Sequence, residues 1–127
     1  MCSMENLMII TQPVNIIVEN LPNHEVINPL LEADIKTAGD VTGGRSAAKC
    51  YRTRWDMHEV YPSFKKLTDA ILEVVKKACG PSTDEDGNPK DYILRTHDSW
   101  GLIYKKGDTT TAHQHYPCLW SWTYCVK

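Results

Sequence analysis

The chain has no C-x-x-C pair among its five cysteines, no run of like-charged residues, and no uninterrupted apolar stretch of the roughly 20 residues a membrane-spanning helix needs. Met1–Met8 lacks the basic and long apolar regions of a secretory leader, so a cytoplasmic protein with reduced thiols is expected. The sixteen acidic and fourteen basic residues are interspersed and sum to −2. That balance offers no electrostatic footprint for nucleic acid or an anionic membrane, and neither partner is expected. The Gly43-Gly44 pair is not followed by Gly-Lys-Ser/Thr, which excludes a phosphate-binding P-loop and leaves a connector. With no internal repeat or low-complexity tract, 127 residues suit one domain.

What is present divides into a helical part and a β-rich part. Residues Met8–Val18, rich in Ile and Val around Pro13, read as a strand that Leu21-Pro22-Asn23 ends. Asn23 is placed to cap a helix through about Ala38, with Val26, Ile27, Leu30, Leu31 and Ile35 at helical spacing, and Gly39 stops it. Tyr61–Cys79 carries a clear apolar stripe of Tyr61, Phe64, Leu67, Ile71, Leu72, Val75 and Ala78, with Pro62 suited to its first turn. Gly80-Pro81 terminates it, and the polar segment 82–90 reads as a surface loop. Strands are expected at Tyr92-Ile93-Leu94, Ser99–Lys105, Thr109–His115 and Leu119–Val126. In the last of these Trp120, Trp122, Tyr124 and Val126 share the face suited to a core. The expected class is α+β in a single domain, 1–127, with a strand and helices over 8–79 and the sheet over 91–127.

The chemistry gathers at His113-Gln114-His115. Two histidines at i and i+2 on an extended backbone point to one face, so both imidazoles can reach one divalent metal. A hairpin returning through Lys106-Gly107-Asp108 brings Trp100 or Tyr104 closer to them than His97. His97 reads as a polar residue at a strand end, and Asp108 as a turn residue. Trp55-Asp56-Met57-His58-Glu59 fits no metalloprotease spacing and reads as the start of a helix with solvated charges. Arg52 and Arg54 alternate on an extended segment and read as a solvated face. Cys118 permits a zinc cluster with His113 and His115, or a Cys/His pair with His115.

The run from Ser99 to Val126 resembles the metal-binding stretch of the Fe(II)/2-oxoglutarate-dependent oxygenases, especially their phage-type and prolyl-4-hydroxylase-like members. The likeness lies in a strand with Tyr104, the Gly107-Asp108 turn, His113-x-His115, Pro117 and Trp120-Ser121-x-x-Tyr124-x-Val126. Upstream only the order of elements agrees. The resemblance implies the first strands of a double-stranded β-helix (a jelly-roll or cupin-like sheet), with Fe(II) and the co-substrate 2-oxoglutarate. It places His113 at the first ligand. His115 stands where the family has Asp, so it either ligates or only supports the ligand sphere. Tyr104 is the residue set to hydrogen-bond 2-oxoglutarate.

After His115 there is neither His nor Arg, whereas the family places a second ligand His and a 2-oxoglutarate-binding basic residue on later strands. The expectation is therefore a hydroxylase-type dioxygenase, or its N-terminal portion, with an incomplete sheet whose open edge favours self-association. Its substrate class would be a small molecule or a protein side chain. Two other readings stay open: a cupin-like or zinc-binding β-domain without 2-oxoglutarate chemistry, and a non-enzymatic interaction protein.

Overall fold

The computed structural model describes residues 15–41 and 46–127. Helix α1 (His24–Ala38) buries Leu31 and Ile35 and continues through Pro29. Asn23 precedes it in the left-handed region at φ 62, without a side-chain cap; its carbonyl instead accepts Val26 N at 3.0 Å and Ile27 N at 3.2 Å. The expected boundary is thus formed by backbone geometry, which Asn tolerates better than most residues.

Two short strands follow, β1 (Ala48–Lys49) and β2 (Tyr51–Arg52), then a single helical turn α2 (Met57–Val60) and the long helix α3 (Pro62–Cys79). Pro62 starts α3, where its missing N–H removes no helical bond, and Gly80 at φ 63 ends it, its N–H reaching Lys76 O at 3.2 Å. Phe64, Leu67 and Val75 of the expected stripe are buried, while Ala78 is exposed. The segment read as a surface loop is a small hairpin: β3 (Ser82–Thr83) pairs antiparallel with β4 (Pro89–Lys90).

Strands β5 (Leu102–Ile103) and β6 (Thr109–Thr110) do not pair with each other. Instead β5 runs antiparallel to β2, with Tyr51 opposite Ile103, and β6 antiparallel to β1, with Ala48 opposite Thr110. The segment 47–53, bent at Cys50, therefore receives both flanks of the turn, in two separate ladders. The expected turn exists: Gly107 has φ 95, Asp108 N donates to Lys105 O at 3.0 Å, and Lys105 N to Asp108 Oδ2 at 2.7 Å. It is an excursion of Tyr104–Asp108 opposite Cys50, and no hairpin of β5 on β6 results.

The core is Leu31, Ile35, Met57, Phe64 and Leu67, against which Leu21, Ile27, Tyr51, Tyr61, Ile71, Ile103, Trp122, Tyr124 and Val126 pack. Tyr92–Leu94 forms no strand, and Ile93 is exposed. Leu119–Val126 alternates as expected but joins no ladder among the described residues. Residues 15–18 are likewise without a ladder, and the rest of the expected Met8–Val18 strand lies outside the described residues. The architecture is mixed: helices with short antiparallel β-ladders. No described helix is long and apolar enough to cross a membrane.

Candidate functional site

Ser99 and Gly101 hold Trp100 in place from both sides. Ser99 N donates to Trp55 O at 2.8 Å, Met57 N donates to Ser99 O at 3.1 Å, and His58 N donates to Ser99 Oγ at 3.0 Å. The same hydroxyl lies 2.8 Å from His58 Nδ1. One residue further, Gly101 N donates to Thr53 Oγ1 at 2.9 Å, and Thr53 N donates to Gly101 O at 3.0 Å. Ser99, Thr53 and Gly101 are buried, so these bonds are shielded from water. They bring the Trp55 and Trp100 rings together edge to face, 4.5 Å between centroids.

The histidines extend this stack. Thr111 N donates to Ala47 O at 2.9 Å, which continues the β1–β6 pairing to within two residues of His113. The Trp100 and His115 rings are 5.8 Å apart, and those of His115 and His113 4.7 Å. Beneath the other end, the Arg52 guanidinium lies 4.2 Å from the Trp55 ring centre. Arg52 is buried, with Nη1 donating to Thr53 O at 3.3 Å and Nε lacking a partner among the described residues. Its neighbour Arg54 points outward to Asp56, whose carboxyl this contact holds below its usual range. The alternation of the two arginines was legible in the sequence; that one of them is buried under a Trp was not.

His113 Nδ1 lies 2.7 Å from Thr111 O. A carbonyl only accepts, so Nδ1 carries a proton, and in the neutral ring Nε2 is the nitrogen with the lone pair. Metal-bound histidines are commonly oriented by this kind of bond. With Zn–N or similar bonds of about 2.0–2.1 Å, each ring centre stands about 3.2 Å from the ion, and two ligands at 90–110° have centres about 4.5–5.2 Å apart. The observed 4.7 Å fits that range.

The remaining expected residues do not join the pair. Among the described residues no three of His, Cys, Asp and Glu gather as a metal site requires. Cys118 folds back so that its N–H donates to His115 O at 2.7 Å, yet its exposed thiol completes no cluster. His97 pairs with Asp98 at 2.9 Å. Tyr104 is half exposed, its hydroxyl bonded to Thr110 Oγ1. Burial pushes up the pKa of the Cys50 thiol. His58, read as part of a helix start with solvated charges, does lie in the helical turn α2, but its ring is mostly buried against Ser99. No sequence signal marked the Ser99–His58 contact, because the two residues are 41 positions apart.

Compared with models of known protein families, with characterised proteins and with solved structures, the chain matches none of them.

Proposed function

We propose that His113 and His115 are the imidazole ligands of a divalent metal centre, and that the protein is a non-haem Fe(II)- and 2-oxoglutarate-dependent dioxygenase of the hydroxylase type, or the N-terminal portion of one. The observation that carries the metal assignment is the His113 Nδ1 bond to Thr111 O beside a second imidazole at 4.7 Å. The antiparallel pairing of 47–53 with both flanks of the 104–108 excursion supports reading these segments as the first strands of a double-stranded β-helix. Fe(II), held by His113 and His115 together with 2-oxoglutarate, would supply the oxidising power for hydroxylation by O₂.

The chain's own part is to present and orient. Thr111 O fixes the His113 tautomer, and Trp100 backs the His115 ring. Trp55 and Trp100 form an aromatic wall beside the ligands, suited to an apolar portion of a small molecule or protein side chain. Tyr104 is the proposed hydrogen-bond donor to 2-oxoglutarate; to act it must exchange its bond to Thr110.

A second reading is a cupin-like or zinc-binding domain without 2-oxoglutarate chemistry. It is favoured by the lack, among the described residues, of a carboxylate clustered with the two histidines. Succinate formation requiring both Fe(II) and 2-oxoglutarate is the deciding measurement. Metal binding without succinate formation assigns the second reading, and absence of metal binding rejects both.

A further inference from the structure

The segment Leu119–Val126 is extended, and its side chains alternate. Trp120, Trp122, Tyr124 and Val126 are half-buried, the last three against the core, whereas Leu119, Ser121, Thr123 and Cys125 face outward. Side chains tie it to α1. Tyr124 Oη donates to Asn28 Oδ1 at 2.6 Å, Asn28 Nδ2 donates to Val126 O at 3.0 Å, and Lys127 Nζ meets Glu32 at 3.3 Å. Among the described residues none of its backbone groups bonds another backbone group. An alternating segment is thus held on the core, its backbone without a backbone partner among the described residues.

Natural proteins protect such edges with Lys, Pro or a bulge. From Leu119 to Val126 there is no charged residue and no proline. A neutral strand meets no like-charge repulsion from an identical strand, which is the usual obstacle to symmetric pairing. We infer that this edge pairs antiparallel with the same edge of a second copy of the chain, centred on Thr123. That register sets Trp122 opposite Tyr124 and Trp120 opposite Val126, aromatic–aromatic and aromatic–β-branched pairs of the favourable kind. A two-fold axis through the strand pair, perpendicular to it, keeps both inner faces on the same side, so each copy retains its own core behind the strand.

Sedimentation velocity of the full chain over a concentration series tests the pairing. The expected result is a reversible monomer–dimer equilibrium. Thr123→Lys and Thr123→Glu each place like charges at the axis and raise the dimer dissociation constant roughly fivefold or more. An equimolar mixture of the two variants restores dimer formation, because opposite charges then meet. Thr123 points to solvent, and the circular dichroism of both variants should match that of the parent. A chain that stays monomeric throughout the series overturns the proposal, as does a mixture no tighter than either variant alone. Amide exchange of residues 119–126 that is slow in the monomer also overturns it, by assigning the edge to another segment of the same chain.

Discussion

Gly101 lies directly against Ile35: a methyl group on Gly101 would stand 2.4 Å from Ile35 Cγ1 and 2.9 Å from Cδ1. The absent side chain lets helix α1 close onto the strand that carries Trp100 and, beyond it, the histidines. Gly101→Ala should therefore destabilise the fold by about 1–3 kcal/mol, the usual cost of overpacking. The measurement is the urea midpoint, which falls while the slope stays constant. Combined with Ile35→Ala, the loss should be smaller than the sum of the two single effects, since the second change removes the colliding atoms.

Asn28 spans the last segment with both halves of its amide, accepting from Tyr124 Oη and donating to Val126 O. Tyr124→Phe removes one bond and should cost about 1 kcal/mol, and Asn28→Ala removes both and should cost about twice that. Asn28→Ala should also red-shift the tryptophan emission, because Trp120 and Trp122 lose the contact that holds their strand down. An unshifted spectrum would mean that apolar packing alone seats the segment.

For the proposed metal pair, His113→Ala and His115→Ala are each expected to abolish the high-affinity heat of Fe(II), Co(II) or Zn(II) binding measured by calorimetry. Cys118→Ser should leave it intact, since its thiol completes no cluster in the fold. Loss of binding in Cys118→Ser would instead revive a His/His/Cys zinc site.

Acid stability follows from carboxylates held below their usual range. Glu32 is lowered chiefly by its hydrogen bonds to Lys36 and Lys127, from a usual value of 4.5. Asp56 is lowered by Arg54, and Asp84 by the backbone N–H of Asn88, both from a usual 3.8. Each folded value lies below the unfolded one, so the stabilisation is complete above the unfolded value. It is lost as pH falls through the folded one. Unfolding free energy should therefore be flat near neutrality and decline below about pH 4.5. Lys36→Met returns Glu32 toward its usual range and should flatten that decline; an unchanged acid limb would remove Glu32 from the account. Asp84 is exposed and Glu32 and Asp56 are partly so, and salt should shrink the effect.

Much of the helical half was legible because its signals are local. The stripe from Tyr61 to Val75, Pro62 before it and Gly80 after it need only the 3.6-residue period and the backbone rules for proline and glycine. The alternation of Trp120, Trp122, Tyr124 and Val126 likewise identified the inward face, although no ladder formed to make it a sheet strand. The pairing of the β-rich part was not legible. Nothing local states that Tyr51 meets Ile103 or Ala48 meets Thr110, since a turn at Gly107-Asp108 serves a hairpin and an excursion equally well.

The site divides the same way. The i, i+2 spacing of His113 and His115 on extended chain by itself determined that the two rings share a side, since successive side chains of a strand alternate. Only the tertiary structure decided what stands behind them: the Trp100 ring, itself pressed on Trp55 over a buried Arg52, and no further His, Cys, Asp or Glu clustered with the pair among the described residues. Arg52 and Trp55 precede the histidines by some sixty residues in the chain. They meet because burying Ile35 against Gly101 and satisfying Ser99 and Thr53 away from water admit this arrangement of the backbone.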